Sequence, residues 1–227
     1  MKQVDTHTFF VGPPLEEGPL PALFYFALSA KDSLQTDPFN QPVQFLSQLP
    51  LRIFSMTLPA HENDFPPEQA MDVWKEEKGR MILPFIERAK ARIEALKPSI
   101  TKCAVAGLSR GAFIACHVAA VCPEMSHILG YAPLTQLSYA PHLNLETLVP
   151  KLYNRSIRFY IGNHDTRVGT EHAFACIHAL AIEANKQRVR NAPIEMIIGP
   201  STGYQGHGTL PPVFQAGVDW LKQELKL

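Results

Sequence analysis

The sequence predicts an α/β protein: a mainly parallel central sheet, helices on both of its faces, and no large cap domain. Three observations predict it. Short continuous apolar runs recur along the chain, as expected of strands buried on both faces. Helical patterns separate these runs, so the chain reads as repeated strand–helix–strand units. Twenty prolines are spread over 227 residues with no Pro-rich tract, so they punctuate short elements.

The elements follow in order. THTFFV (6–11) is a short strand, and PALFYFAL (21–28) is a buried one. PLRIFSMT (50–57), ITKCAVAG (100–107), HILGYAP (127–133), SIRFYIG (156–162) and IEMIIGP (194–200) complete the strand set. Pro21, Pro50 and Pro193 stand at strand entrances and Pro133 and Pro200 at exits, where a missing ladder N–H is tolerated. Residues 67–97 alternate charged and apolar positions in a helical pattern that Pro84 is expected to break or kink. Residues 110–121 are small and apolar, a buried helix. Residues 170–190 open on Thr170 and Glu171 and close on Lys186, Arg188 and Arg190, charges that suit the two ends of a helix dipole. Residues 211–226 form a last amphipathic helix, and the whole of 1–227 reads as one domain.

Composition narrows the function classes. Twenty-one basic residues balance 21 acidic ones, which argues against nucleic-acid or anionic-membrane partners. The longest apolar run, near Leu20 to Leu28, is about nine residues, far short of the ~20 that span a bilayer. The first residues carry no signal-peptide core. Cys103, Cys116, Cys122 and Cys176 show no CxxC or metal-finger spacing and read as buried reduced thiols, which suits a cytoplasmic protein. No G-x-G-x-x-G or P-loop follows a strand, and no metal-ligand spacing links His164, Asp165 and His172, so neither a cofactor nor a metal is expected.

In open parallel sheets, ligands sit beyond the carboxyl ends of the strands. One such turn reads Gly107-Leu108-Ser109-Arg110-Gly111, between the strand KCAVA and the helix AFIACHVAA. This is a G-x-S-x-G elbow in its required strand–turn–helix setting. So tight a turn strains the serine backbone and leaves no room for side chains two positions before and after. The helix that starts there offers unpaired N–H groups, that of Arg110 among them, to a developing oxyanion. With 13 Gly and 10 Ser in the chain, chance supplies the pattern only about 0.03 times.

A serine hydroxyl needs a base, usually a histidine held by a carboxylate. Asp165 follows the strand IRFYIG, 56 residues after Ser109 (165 − 109), with Glu171 a weaker substitute in the next helical turn. His207 lies between two glycines in the loop after the last predicted strand, 42 residues after Asp165 (207 − 165). His7, His61 and His142 precede the acid, His117, His172 and His178 fall in helices, and His127 opens a strand. His164 adjoins Asp165 and suits a pocket wall better than the role of base. A second oxyanion donor is expected from the loop after LFYFAL, residues 27–32.

GLSRGAF (107–113), IGNHDTRVG (161–169) and GHG (206–208) together resemble the α/β-hydrolase superfamily, in the minimal single-domain style of dienelactone-hydrolase-like and acyl-peptidase-like esterases. The resemblance runs from residue 21 to the end. It implies a triad of Ser109, Asp165 and His207 and hydrolysis of carboxylic esters, thioesters or activated amides. The chain departs from the pattern at one place. Most relatives carry His-Gly after the equivalent strand, where this chain has Ala27 and Leu28. The second donor is then the backbone N–H of Leu28 or of Ser29, and the Ser29 hydroxyl is either a further donor or a helix cap.

The leading expectation is therefore a serine hydrolase acting on a small ester or thioester through an acyl-enzyme, as a monomer or homodimer. A non-catalytic binding or scaffold module on the same fold is the alternative, since fold alone does not fix function. A serine at the elbow excludes the aspartate-based dehalogenase branch. Residues 59–70 are expected to overhang the site together with 134–152. Phe65, Tyr139, Tyr153 and Tyr204 are candidates to line an acyl pocket. The stretch 134–152 is too short for an independent lid, so the site is expected to be open.

Overall fold

The apolar runs become strands whose side chains alternate between two layers. In β3 (Leu20–Phe26) of the computed structural model, which describes residues 1–62 and 65–227, Ala22, Phe24 and Phe26 enter one core and Leu23 and Tyr25 the other. This is the period of two that sends successive side chains to opposite sheet faces. Removing one such phenylalanine from water contributes about 2 kcal/mol.

Among the described residues, eight strands form one sheet. β1 (Lys2–Gln3) and β2 (Thr8–Val11) lie at one edge, then β4 (Arg52–Met56), β3, β5 (Ile100–Leu108), β6 (Met125–Tyr131), β7 (Ser156–Gly162) and β8 (Ile194–Gly199). β2 runs antiparallel to β1 and β4, and every pairing from β4 to β8 is parallel. The expected mainly parallel sheet is thus present.

Helices cover both faces. α1 (Ala30–Gln35), α2 (Gln41–Leu46) and α8 (Pro211–Leu225) close the layer built on Leu23, Tyr25 and Tyr131. α4 (Ile82–Leu96), α5 (Arg110–Val121) and α7 (Thr170–Lys186), with α3 (Ala70–Glu76) and the short α6 (Val149–Leu152), close the layer built on Phe24, Phe26 and Val105. No helix among the described residues is long and apolar enough to cross a membrane.

Three expectations change. Pro84 does not break a helix. The 67–97 pattern divides earlier, around Gly79 at φ +71°, and Pro84 sits in the first turn of α4, where its missing N–H would have no intrahelical partner anyway. α1 and α2 fill a stretch with no predicted element. Ser29 caps α1 by accepting a hydrogen bond from the Asp32 N–H at 3.0 Å, an S-x-x-D pattern readable in the sequence. The 134–152 segment does not overhang the site. Its Leu134, Leu137, Leu143 and Leu145 are buried in the core, and the Leu143 carbonyl lies 2.9 Å from His117 Nε2 on α5.

One buried charge fixes the amino-terminal side. Arg52 on β4 is fully buried, and its guanidinium donates to the carbonyls of Pro13, Pro14, Gly18 and Ser99. Its donors are thereby spent on the loop that leads into β3 and on the turn that leads into β5, as a buried guanidinium requires.

Candidate active site

Ser109 stands between the end of β5 and the start of α5 with φ 56° and ψ −115°, a conformation that costs a side-chain-bearing residue free energy. The two glycines make that turn possible. A Cβ on Gly107 would lie 2.2 Å from the Gly111 carbonyl carbon, and one on Gly111 would lie 1.9 Å from the Phe26 carbonyl oxygen. The Ser109 N–H donates to the Tyr131 carbonyl at 2.8 Å, and the Ser109 carbonyl accepts from Leu134 N–H at 3.2 Å. The elbow is thereby pinned to β6 and to the chain that follows it.

Asp165 lies beyond the end of β7 and is buried at 3% exposure. Its Oδ1 accepts from the N–H groups of Arg167 at 3.0 Å and Val168 at 3.1 Å. The Asp165 N–H donates to Thr170 Oγ1, whose hydroxyl donates in turn to the Gly162 carbonyl. One carboxylate oxygen is thus occupied by backbone, and Oδ2 is left to face the histidine.

His207 completes the arrangement. Its Nδ1 lies 2.7 Å from Asp165 Oδ2, and its Nε2 lies 2.9 Å from Ser109 Oγ. An ionised carboxylate only accepts, so Nδ1 carries the proton and Nε2 is left to accept from the serine hydroxyl. The histidine loop is built onto the acid loop. Ser201 Oγ accepts from His164 N–H, Asn163 Oδ1 accepts from Ser201 N–H, and the Gln205 carbonyl accepts from Thr166 N–H. A Cβ on Gly206 would lie 2.2 Å from the His164 carbonyl oxygen, so close an approach needs glycine. His164 therefore serves through its backbone, and Glu171 sits exposed in the first turn of α7.

The backbone N–H groups expected to serve as oxyanion donors stand in different surroundings. The Arg110 N–H opens α5 and has no acceptor among the described residues. The Leu28 N–H does not point free into the site. It donates to Ser33 Oγ at 3.2 Å, sharing that oxygen with Ala27 N–H at 3.1 Å, while the Ser33 hydroxyl donates to the Ser29 carbonyl. The Ser29 N–H is the other candidate, and it has no acceptor among the described residues. The Ser29 hydroxyl is spent on Asp32 and does not serve as a pocket group.

A cavity of about 340 Å³ opens beside Ser109 and His207. Leu28, Phe39, Leu108 and Phe214 give it apolar walls, and Glu68 and Arg167 bring charge to it. Tyr131 Oη donates to the Phe214 carbonyl at 2.9 Å and so seats α8 against β6. Phe65 and Tyr204 are corrected as pocket residues, because neither lines the cavity. Phe65 bonds back to the Glu62 carbonyl, and Tyr204 is 79% exposed at a loop tip. Tyr139 and Tyr153 do not line it either. Of the 59–70 segment, Pro67 and Glu68 reach the cavity, and Asn63 and Asp64 lie outside the described residues.

Two buried histidines lie on this side of the sheet, His61 in the loop after β4 and His117 on α5 itself. Burial, reinforced by the nearby Arg110 charge, pushes the His61 pKa down to about 4. Burial does the same to His117, also to about 4. Both rings are held neutral. Burial also lowers the Arg110 guanidinium, to about 10, with the like charge of Arg167 adding to the shift.

No protein-family model matches the sequence, and comparison with curated proteins finds no match. Solved structures do resemble it. TT1662 from Thermus thermophilus is 17% identical with a TM-score of 0.74, over 97% of this chain and 94% of that one. A cold-adapted esterase from an Arctic intertidal metagenomic library is 16% identical with a TM-score of 0.71, over 95% and 87%. Est1E from Butyrivibrio proteoclasticus, solved with ferulic acid, is 12% identical with a TM-score of 0.67, over 97% and 95%. The chain has the α/β-hydrolase fold.

Proposed function

We propose that this chain is a serine hydrolase that cleaves carboxylic ester or thioester bonds of small substrates through an acyl-enzyme. One observation carries the reading: His207 bridges Ser109 Oγ and Asp165 Oδ2 at 2.9 and 2.7 Å. These are hydrogen-bond distances for a nucleophile, its base and the group that orients the base. The esterases among similar solved structures are consistent with it.

Ser109 Oγ attacks the carbonyl carbon as His207 Nε2 takes its proton. Asp165 holds the ring in the right tautomer and stabilises the imidazolium. The carbonyl oxygen gains negative charge and accepts from the N–H groups of Arg110 and Ser29. His207 then protonates the leaving alcohol or thiol, and water, activated by the same ring, releases the acid. Each preorganised oxyanion donor is worth about 10²–10³ in rate.

A panel of p-nitrophenyl esters of rising acyl length, run beside acyl-CoA substrates, tests the reading. Turnover by the wild type and loss of at least about 10⁴-fold in Ser109→Ala are expected. A folded wild type that turns over none of the panel counts against it. The alternative, a non-catalytic module on the same fold, draws on the engagement of Leu28 N–H by Ser33 at the expected second donor.

A further inference from the structure

Arg110 follows the nucleophile in the elbow, yet its side chain serves a different part of the molecule. Its Nη2 donates to the Pro67 carbonyl at 2.8 Å, the residue is 6% exposed, and Nη1 is buried with no hydrogen-bond partner among the described residues. A buried charge with no partner acid among the described residues does little for stability, and a packed apolar side chain would be cheaper there. The segment that receives it forms part of the cavity. Pro67 and Glu68 line the space beside Ser109. The near end of that segment is fixed independently. Leu58 N–H donates to the Leu28 carbonyl at 3.0 Å, while His61 Nδ1 and Trp74 Nε1 both reach the Pro59 carbonyl, at 3.0 and 2.9 Å. At the far end, just ahead of α3 and its buried Ala70 and Trp74, the Arg110 side chain is hydrogen-bonded to Pro67.

We infer, building on the hydrolase reading, that the Arg110 guanidinium is a positioning residue that fixes the Pro67–Glu68 wall and thereby sets which acyl lengths the cavity accepts. Its backbone N–H and its side chain then do separate work. The first faces the oxyanion, and the second fixes the width of the cavity from the same residue. A wall tethered to the elbow keeps its distance from Ser109 even though the segment is an irregular loop. Pocket walls discriminate by contact with individual methylenes, each worth about tenfold or more. Release of the tether lets the wall retreat, so short acyl groups lose contacts and longer ones gain room.

Arg110→Met keeps the backbone N–H and most of the side-chain volume but removes the bond to Pro67. Its expected result is a KM for p-nitrophenyl acetate raised about tenfold, with kcat within about threefold. The kcat/KM ratio of octanoate to acetate rises about tenfold. Pro67→Gly loosens the wall without touching the elbow and reproduces the shift. Arg110→Lys keeps the charge with a shorter reach and gives an intermediate shift. Backbone amide exchange at Phe65, Glu68 and Gln69 accelerates in Arg110→Met, while 58–62, α7 and β8 keep wild-type rates. A uniform fall in kcat for both esters with KM unchanged, restored fully by lysine, overturns the inference, because the charge then acts on the oxyanion. Unchanged selectivity in both Arg110→Met and Pro67→Gly overturns it as well. If the wild type hydrolyses neither ester, the hydrolase reading falls and the selectivity claim with it. The tether itself is then judged by amide exchange alone, and unchanged exchange overturns that too.

Discussion

A Cβ on Gly111 would sit 1.9 Å from the carbonyl oxygen of Phe26, so the elbow helix and the end of β3 touch backbone to backbone. That contact holds the start of α5 against the turn after β3, the two segments that carry the proposed oxyanion donors. Gly111→Ala forces the two apart. It is expected to lower stability by about 2–4 kcal/mol, read as a fall in Tm, and to lower esterase activity in the fraction that folds. Gly18→Ala is the control. Nothing lies within 4 Å of the added methyl, so the cost is that of the backbone strain alone at φ +89° and ψ −174°, about 1–3 kcal/mol, and activity in the folded protein is unchanged.

Ser33 offers a second test, because its buried hydroxyl accepts from two N–H groups and donates to a carbonyl. Ser33→Ala leaves those backbone groups without their partner and is expected to cost about 1–3 kcal/mol in denaturant unfolding. If the Ser29 N–H is the second oxyanion donor, kcat changes less than about tenfold. A marked rise in kcat would instead show that freeing the Leu28 N–H supplies a missing donor.

Acid sensitivity follows from the two buried histidines. Each has a folded pKa near 4, below the ordinary histidine value of 6.5, so folding favours the neutral ring. The stability this gives is complete above pH 6.5 and is lost as pH falls from there towards 4. The loss is at most about 3 kcal/mol per ring. His61→Asn and His117→Gln keep a donor for the Pro59 and Leu143 carbonyls but do not titrate. Thermal melts from pH 7 to 4.5 should show a shallower decline in the double variant than in the wild type. Equal slopes would contradict the assignment.

What the sequence made legible was local. Strand, elbow and helix around Ser109 are contiguous, and the two positions of close backbone approach announce themselves as glycines, so 100–113 is readable residue by residue. Asp165 and His207 follow because each closes a strand and precedes a helix. The loop after β3 was not readable in the same way. The engagement of Leu28 depends on Ser33 reaching back five residues, which requires α1, and a six-residue helix followed by Pro38 and Pro42 carries too short a period to detect. The cavity walls were less legible still. Phe39 and Phe214 come from segments far from Ser109 in sequence and meet it only once α2 and α8 pack on the sheet. Exposed aromatic residues such as Tyr204 looked equally suitable in composition, and only burial separates them.

The central claim is that Ser109 is an activated nucleophile. A fluorophosphonate reacts with such a serine in a single step and needs no knowledge of the natural substrate. Intact-mass and peptide analysis of the treated protein should show one adduct, on Ser109, in the wild type and none in Ser109→Ala. A folded wild type that stays unlabelled, or a Ser109→Ala protein that labels as well as the wild type, would contradict it.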